Sequence, residues 1–427
     1  MTQELRRVAV IGGSRIPFCR SNTLYADSSN LEMLTASLNG LVDKFDLKGA
    51  VIDDAVGGAV VSHSRDWNLA REAVLGSKLS PSTPGTTLVQ ACGTSLQAAI
   101  MIGGKIATGS SESGIAMGSD TTSDAPIVVK PKLAHRLVEV QTARSTMDRL
   151  KAFKGFSPSE LVPVAPSTSE PRTGLSMGQH AELMAQEWKI SREDQDRLAF
   201  ESHKKAAEAY RNGYLDDLIV PFAGVFRDNN LREDISLERL AQLKPAFDKE
   251  RGTLTAGNST PLTDGASAVL LASEDWARKR NLPVLAYFTH SKQWAVDYVG
   301  GKEGLLMAPA YAVPSMLKDA GLTLQDFDLY EIHEAFAAQV LCTLKAWESP
   351  EYCRERLGLE RPLGSIDRAR LNVNGSSVAI GHPFAATGTR IVAQLAKQLA
   401  ESPTARRGLI SICTAGGMGV TAILEKA

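Results

Sequence analysis

The 427-residue sequence predicts an α/β fold in which a duplicated core carries an inserted lobe. Three observations support this prediction. Short β-branched runs alternate with helix-like stretches, one such unit recurs near the C-terminus, and the region between the two differs in composition. Strands that alternate with helices are typical of a largely buried sheet. At about 100–200 residues for each domain, a chain of this length also predicts two or three domains.

The first elements follow this alternation. "RRVAVIGGSRIPF" predicts a buried strand followed by a turn, and "SSNLEMLTASLNGLVDKF" has apolar residues at helical spacing. "IDDAVGGAVV" and "TTLVQA" are short β-branched runs between Gly and Pro residues, which indicates two further strands.

The unit that begins at "TTLVQA" has a counterpart near the C-terminus. In the first copy, the helix-like "SLQAAIMIGGKIATG" leads to the strand-like "SGIAMGS". In the second, "ATGTRIVAQLAKQLAES" leads to "RGLISICTAGGMG". Identity is low but the order is kept, so we predict a duplicated α/β half whose loops place chemistry at helix N-termini.

The region between the copies has a different character, with a Pro/Ser-rich excursion and two predicted helices. Ser191, three residues before Asp194, is typical of the N-cap of the second helix. We predict an inserted loop domain at 123–254. The N-terminal half then combines 1–122 with 255–277, and the C-terminal half is 278–427.

A basic segment lies inside the predicted insert. Residues 130–154 hold seven Lys or Arg and two Asp or Glu. A run of this kind is most often a solvated helix face. The alternative is a contact with a partner subunit, a membrane surface or the phosphates of a ligand.

The composition excludes several classes of partner and setting. With 47 basic and 48 acidic residues, the net charge of -1 attracts neither nucleic acid nor an anionic membrane. The five cysteines form no C-x-x-C pair, which argues against a disulfide framework and a zinc site. No signal-length segment and no run of roughly 18 apolar residues occurs. We expect a cytoplasmic protein with no transmembrane segment.

Common cofactor motifs are also missing. The sequence contains neither G-x-G-x-x-G nor G-x-x-x-x-G-K-[ST], and "HEAFA" lacks the second histidine of H-E-x-x-H. Hydride transfer on a dinucleotide fold, nucleotide hydrolysis and zinc proteolysis therefore have little support. We predict no metal or redox cofactor.

Cys92 stands at a predicted strand-to-helix junction in "LVQACGTSLQAAI". Free N–H groups and the helix dipole favour a thiolate at such a position, so the pKa of Cys92 should fall. Free cysteine is also among the most buried residue types. This stretch alone leaves both a packing residue and a nucleophile open.

Three further positions carry candidate chemistry. His382 lies in a glycine-rich turn before a helix, where it can act as a base or donate to a developing negative charge. Cys413 ends an apolar strand, and the small residues after it can cradle an oxyanion with their N–H groups. His333 lies in a third turn, beside Glu334, whose ordinary role would be to offset helix N-terminal charge.

Together these motifs resemble those of the thiolase family. "CGTSLQA" is similar to the family's nucleophile motif and "HEAFA" to its asparagine-glutamate motif. "NGSSVAIGHPFAATGTR" and "CTAGGMG" are similar to its glycine-histidine-proline and C-terminal cysteine motifs. The resemblance covers essentially the whole chain. It implies an α-β-α-β-α layered core of the thiolase type with an inserted loop domain.

The resemblance also implies a role for each candidate. Cys92 matches the acyl-accepting nucleophile and Cys413 the second, acid/base cysteine. His382 matches the histidine that activates the nucleophile and helps to hold the thioester oxygen. His333 replaces the asparagine that usually positions a water for that oxyanion hole. The N–H groups of Cys92 and Ala415 would form a second hole.

Coenzyme A is the implied substrate and no separate cofactor is expected. By resemblance, the positions that would bind coenzyme A are Thr260, Met177, Ser176 and Arg232. Ser176 replaces a common histidine, and Thr94 with Ser95 replaces the usual serine-glycine after the nucleophile.

The basic segment, "GSDTTSDAP" and "HEAFA" look like the β subunits of trifunctional fatty-acid oxidation complexes. This implies an acyltransferase of β-oxidation that cleaves 3-ketoacyl-CoA with coenzyme A, through an acyl-cysteine intermediate. The products would be acetyl-CoA and a shortened acyl-CoA. A homodimer or homotetramer is implied, with a hydratase/dehydrogenase α subunit as a further partner.

Three alternatives stay open at this stage. The first is an acetoacetyl-CoA thiolase that runs in the condensing direction. The second is a condensing enzyme like the ketoacyl synthases, whose two-histidine set His333 and His382 imitate. The third is a non-catalytic coenzyme A or lipid-binding protein on the same scaffold.

Overall fold

The computed structural model describes residues 5–164 and 166–427 and contains a mixed ten-stranded sheet with helices on both faces. The strands are β1 (Val8–Arg15), β2 (Cys19–Arg20), β3 (Ala55–Gly58), β4 (Gly85–Thr87), β5 (Ser113–Asp120), β6 (Thr263–Ser273), β7 (Ala286–Ala295), β8 (Leu329–Ile332), β9 (Arg407–Thr414) and β10 (Met418–Lys426). The helices are α1 (Asn30–Lys44), α2 (Leu69–Gly76), α3 (Thr94–Ala107), α4 (Pro131–Thr142), α5 (Thr146–Ala152), α6 (Met177–Glu187), α7 (Arg192–Arg211), α8 (Leu237–Ala241), α9 (Glu274–Lys279), α10 (Ala308–Ala320), α11 (Ala337–Glu348), α12 (Pro350–Glu355), α13 (Ser377–Ile380) and α14 (Thr387–Glu401).

The strand order shows the duplication. The main path runs β4-β3-β5-β6-β1-β7-β10-β9-β8, and β2 pairs only with β6. On one side, β3 and β5 are parallel, while β5–β6 and β6–β1 are antiparallel. On the other side, β8 and β9 are parallel, while β9–β10 and β10–β7 are antiparallel. The two halves repeat one pairing pattern outward from the central β1–β7 contact.

The helices form three layers around the two halves. α3 and α14 pack against each other and against strands from both halves. α1 and α2 cover the outer face of the first half, and α10 covers that of the second. The predicted fold class, a duplicated α/β core with α-β-α-β-α layers, is confirmed.

The sequence of β1 is almost continuously apolar because both faces of the strand are buried. Val8 and Val10 pack into the cluster that holds the central helices, whereas Ala9 and Ile11 pack under α1 and α2. Successive strand side chains point to opposite faces. A strand covered by helices on both sides therefore buries every position.

The predicted strand "TTLVQA" is shorter than expected. β4 ends at Thr87, and Ala91 adopts a left-handed conformation with a φ of 45°. A left-handed residue cannot continue a strand, so the chain leaves the sheet before Cys92. This conformation is also costly for a residue other than glycine. In the second copy, the stretch before the helix makes only an isolated bridge, between Leu371 and Tyr330.

The region of the predicted insert is helical, with α4–α8 between β5 and β6. Ser191 caps α7, because its side chain accepts from the N–H of Asp194, as predicted. No named strand occurs in the described part of 123–254. The boundaries of the three predicted domains stay a prediction.

The basic segment folds as α4 and α5. Arg136 is tied to the carboxylate of Glu160 at 2.9 Å, so part of the positive charge is neutralised within the chain. Apolar side chains are nevertheless exposed on both helices, including Val138 at 59 % and Leu150 at 65 %. Whether the basic segment is a solvated helix face or a contact surface stays open.

The five cysteines are free and buried: Cys19, Cys92, Cys342, Cys353 and Cys413. Within the described residues, none of the helices combines the length and the apolar character needed to cross a membrane.

The contact between α3 and α14 leads to a test of stability. A Cβ at Gly388 would lie 2.3 Å from the backbone N of Leu96, so Gly388→Ala forces the two helices apart. We expect the free energy of unfolding, measured by urea denaturation, to fall by about 1–3 kcal/mol or more.

Gly104→Ala is the matched control. A Cβ at Gly104 meets no atom within 4 Å, and this residue also lies in a helix. The higher helix propensity of alanine should leave stability unchanged or raise it by up to about 1 kcal/mol. Equal destabilisation by both substitutions would contradict the packing argument.

Candidate active site

Cys92 lies in a short 3-10 turn, Ala91–Gly93, directly before α3. Its neighbour Thr94 holds this turn, because the Thr94 hydroxyl accepts from the N–H of Gln90 and donates to the carbonyl of Ala91, both at 2.8 Å. The side chain of Cys92 is buried, with 9 % exposed. The structure therefore places the thiol at the helix N-terminus, as predicted.

His382 lies next to this thiol. Its Nε2 is 3.0 Å from the Sγ of Cys92, and its Nδ1 is 2.6 Å from the hydroxyl of Thr387 at the start of α14. Thr263 holds the backbone of His382, since its hydroxyl accepts the His382 N–H at 3.0 Å. Hydrogen bonds at ring and backbone thus direct Nε2 towards the sulfur.

His333 completes a group of three buried side chains. It follows β8, and its ring centroid is 4.1 Å from that of His382. Its Nδ1 is 2.8 Å from the hydroxyl of Ser377, while its Nε2 is buried without a hydrogen-bond partner among the described residues.

Cys413 and Ala415 also lie near Cys92. The Ala91–Gly93 turn packs on β9, the strand that carries Cys413. Cys413 is close enough to Cys92 for the charge on one thiolate to raise the pKa of the other. The N–H of Ala415 acts in the opposite sense and lowers the pKa of Cys92. The four predicted catalytic residues and Ala415 therefore meet around a single thiol.

The expected fall in the pKa of Cys92 is wrong. Burial raises the pKa of the Cys92 thiol to about 12, although the N–H groups of Ala415 and Cys92 itself favour the thiolate. Removal of the thiolate from water costs more than these donors and the helix terminus return. Burial, reinforced by the positive charge of Arg390, lowers the pKa of His382 to about 3. The resting pair is a neutral thiol beside a neutral imidazole.

With this geometry established, comparison with known proteins decides the family. The chain matches the family model described as thiolase, N-terminal domain, over residues 8–275. It matches the model described as thiolase, C-terminal domain, over residues 282–426. The chain belongs to the thiolase family.

Curated relatives and solved structures resemble this thiolase over its whole length. Proteins named 3-ketoacyl-CoA thiolase from Shewanella baltica and Shewanella putrefaciens are each 43% identical over 425 residues, which is 98% of this chain and 97% of theirs. The acetyl-CoA acetyltransferase of Bacillus anthracis has a TM-score of 0.82 at 29% identity, with 100% of both chains covered.

Human mitochondrial 3-ketoacyl-CoA thiolase, solved in complex with CoA, also has a TM-score of 0.82 at 28% identity. That alignment covers 99% of this chain and 98% of the human chain.

The structure places the predicted coenzyme A residues of this thiolase in three settings. Thr260 contacts the loop that carries His333, since its N–H and hydroxyl both donate to the carbonyl of Ala335 at 3.1 Å. Ser176 caps α6 and Met177 is its first residue. Arg232 lies instead against α7, where its N–H donates to Nδ1 of His203 at 3.2 Å.

Glu334 has a different role from the one expected. α11 begins only at Ala337, so Glu334 does not compensate the N-terminus of that helix. Its buried carboxylate accepts hydrogen bonds from Ser202, Asn372 and the N–H of Val378. These bonds tie the loop of His333 to the segment that leads to His382.

Two more carboxylates fix neighbouring loops and were missed from the sequence. Glu170 accepts from the N–H of Gly416 at 2.9 Å, which holds the turn after Cys413. Asp120 accepts from the N–H of Ala385 at 2.7 Å, which holds the turn after His382. Their partners lie 246 and 265 positions away, so no local pattern could have indicated these contacts.

Arg390 is a buried cation in α14 beside the two histidines. Its Nη2 donates to the Ser377 hydroxyl at 3.0 Å, and its Nη1 is 3.8 Å from a carboxylate oxygen of Glu331. The pKa of His333 is held well below its usual value, first by burial, then by the neighbouring His382 and by the positive charge of Arg390. The sequence signal that could have indicated Arg390 was a charged residue within the apolar pattern of α14.

The neutral resting pair predicts the pH dependence of alkylation. Because burial raises the pKa of Cys92 to about 12, the thiolate fraction increases throughout the neutral and mildly alkaline range. We expect the iodoacetamide rate at Cys92, followed by mass spectrometry, to rise about tenfold per pH unit from about pH 7 to about pH 10. A cysteine-containing peptide, which levels off near its ordinary pKa, is the control. A plateau below about pH 8 would instead indicate a thiolate–imidazolium pair.

Proposed function

We propose that this thiolase cleaves 3-ketoacyl-CoA with coenzyme A to give acetyl-CoA and a shortened acyl-CoA. The observation that carries the proposal is the 3.0 Å contact between Cys92 Sγ and His382 Nε2, with Cys413 beside it. A thiol next to an unprotonated imidazole is an activated nucleophile. A second cysteine supplies the proton carrier that a carbon–carbon cleavage requires.

The first step is attack of Cys92 on C3 of the substrate. The thiol and His382 are both neutral at rest, so the thiol proton passes to Nε2 as the carbon–sulfur bond forms. The C2–C3 bond then breaks. The electron pair leaves on C2, as the enolate of acetyl-CoA.

The enolate requires charge stabilisation and a proton. The N–H of His382 Nε2 supplies one donor for the oxygen. The Nε2 of His333, which has no hydrogen-bond partner among the described residues, supplies another, directly or through a water. Cys413 gives its proton to C2 and becomes the thiolate. Burial and the nearby Cys92 raise the pKa of Cys413 well above its ordinary value, so this thiol is protonated at the start.

The second half reaction regenerates the enzyme. The Cys413 thiolate takes the proton of incoming coenzyme A, whose sulfur attacks the acyl-Cys92 thioester. The N–H groups of Cys92 and Ala415, which favour negative charge at this position, hold the thioester oxygen. Cys92 leaves as a thiol with the proton from His382. The covalent intermediate predicts ping-pong kinetics.

The coenzyme A site is part of the same proposal. Thr260, Met177, Ser176 and Arg232 are the residues we assign to it, with Thr260 supported by its contact to the His333 loop. The human relative solved in complex with CoA favours the same ligand here. No separate cofactor enters the steps above.

We further propose a degradative role in β-oxidation in the cytoplasm. The curated relatives named 3-ketoacyl-CoA thiolase support the direction. The "HEAFA" motif and the exposed basic segment support a hydratase/dehydrogenase α subunit as partner. A homodimer or homotetramer is supported by the open edge strand β4, followed by Val89 with 58 % exposed.

Trapping of the acyl group tests the nucleophile. Incubation with 3-ketoacyl-CoA, without free coenzyme A, should add one acyl mass to the peptide that contains Cys92, because the second half reaction has no acceptor. Peptide mass spectrometry gives the measurement, and Cys92→Ala is the control that should carry no label. An acyl group on Cys413 instead would reverse the assigned roles.

Ser377→Ala tests the positioning of His333. Loss of the 2.8 Å contact to Nδ1 frees the ring, and we expect kcat to fall about 10–100-fold while KM changes little. Steady-state cleavage of acetoacetyl-CoA gives both constants. Ser376→Ala is the matched control, since its hydroxyl contacts Arg390 at 3.4 Å but not His333. Equal losses in both variants would argue against the assigned contact.

A substrate series tests direction and chain length. We expect cleavage of 3-ketoacyl-CoA substrates longer than the four-carbon compound, measured as kcat/KM for each length. Turnover of the four-carbon substrate alone would replace the proposal by an acetoacetyl-CoA thiolase. Condensation that depends on malonyl-CoA, with no cleavage of acetoacetyl-CoA, would indicate a ketoacyl-synthase-like enzyme.

A further inference from the structure

Three side chains of metal-binding types meet at this site. Cys92, His333 and His382 each offer one ligand atom, and these atoms lie within 4.8 Å of one another. All three side chains are buried, with exposed fractions of 9 %, 0 % and 4 %. Thiolate sulfur and imidazole nitrogen are the ligands that Zn²⁺ binds best in proteins.

His333 contributes a buried nitrogen that is free to bind a metal ion. Its Nε2 is buried and lacks a hydrogen-bond partner in residues 5–164 and 166–427. Its other nitrogen is occupied by Ser377. A buried, unpaired nitrogen gains from any ligand that it can bind, because it has already lost its contact with water.

The distances suit a tetrahedral ion after small side-chain rotations. Zn–S bonds of about 2.3 Å and Zn–N bonds of about 2.0–2.1 Å at tetrahedral angles separate the ligand atoms by roughly 3.3–3.6 Å. The contact between His382 Nε2 and Cys92 Sγ is 3.0 Å, and the remaining separations are at most 4.8 Å.

The Nδ1 atoms of His382 and His333 already have hydrogen-bond partners. Thr387 lies 2.6 Å from Nδ1 of His382, and Ser377 lies 2.8 Å from Nδ1 of His333. Ligating histidines usually have such a partner on the far nitrogen, which fixes the tautomer and the ring orientation. The site is therefore pre-oriented for ligation through Nε2.

We propose that Cys92, His333 and His382 form an inhibitory binding site for Zn²⁺, with the fourth position open to water or to the thiolate of coenzyme A. The Cys92 S–H bond breaks, a sulfur–zinc bond forms and the proton leaves to the buffer, with no change of oxidation state. Cys92 and His382 share one proton whichever of them holds it, so one proton is released per ion. Metal binding goes beyond the proposed function and does not depend on it.

The residue at position 333 decides the strength of this site. His333→Asn introduces the amide that most members of the family have there, and it leaves only two strong protein ligands. Wild-type protein and this variant therefore form a matched pair for a metal titration.

Isothermal titration of the chelator-treated full chain with ZnCl₂ gives the stoichiometry and Kd. Repetition in buffers of different ionisation enthalpy gives the proton release. We expect one Zn²⁺ and one proton per chain. The Kd should be at least about 100-fold weaker in His333→Asn, because loss of a direct ligand should cost at least as much as the roughly 10–100-fold typical for loss of an outer-shell partner. Cys353→Ser, which changes a buried cysteine outside the group, should bind as the wild type does.

A spectroscopic readout avoids the question of variant folding. Co²⁺ added to the wild-type protein should give a near-ultraviolet thiolate-to-metal charge-transfer band, and prior alkylation of Cys92 should abolish it. Zn²⁺ should also inhibit cleavage of acetoacetyl-CoA, with full recovery on addition of EDTA.

Two results would overturn the proposal: no stoichiometric binding of Zn²⁺ to the wild type, or equal affinity in wild type and His333→Asn. The readouts separate this proposal from the function. A protein that binds Zn²⁺ but never cleaves 3-ketoacyl-CoA keeps the metal site and loses the proposed function. A protein that cleaves the substrate without binding Zn²⁺ shows the reverse.

Discussion

The close packing of α3 on α14 is the contact on which the candidate site depends. The backbone N of Leu96 lies only 2.3 Å from the position that a Cβ of Gly388 would take, and the Ser95 hydroxyl accepts the N–H of Thr389 at 2.9 Å. The two helix N-termini are thereby held side by side. Because Cys92 precedes one helix and His382 the other, the same contact brings the thiol and the imidazole together. Duplication of one α/β unit thus produces a site that neither half could form alone.

Burial is the second physical factor, and it sets the charge state of the site. The same close packing that positions Cys92 and His382 removes both from water, so the neutral thiol and the neutral imidazole are the stable forms. Arg390, a buried cation in α14, adds to this effect on both histidines. In the proposed mechanism, proton transfer therefore accompanies bond formation to carbon instead of preceding it. In that mechanism, backbone N–H groups act on charge that exists only during the reaction.

Buried carboxylates connect the loops that carry the reacting groups. Glu334 joins the His333 loop to the segment before His382, Asp120 holds the turn after His382, and Glu170 holds the turn after Cys413. Each accepts from backbone N–H groups, which compensates part of the cost of burying a carboxylate. The loops are thus fixed to the core at several points, although they have little regular structure of their own.

The sequence by itself determined the order of the elements, the duplication and the candidate catalytic residues. Local periodicity and motif spacing carry that information within short windows, as at "CGTSLQA" and "HEAFA". Only the tertiary structure decided that the pKa of Cys92 is raised, that β4 stops at Thr87, and that Ser377 and Arg390 adjoin His333. Desolvation and hydrogen bonding depend on atoms from distant positions within a few ångströms of each other. No window of the sequence contains both partners of such a contact.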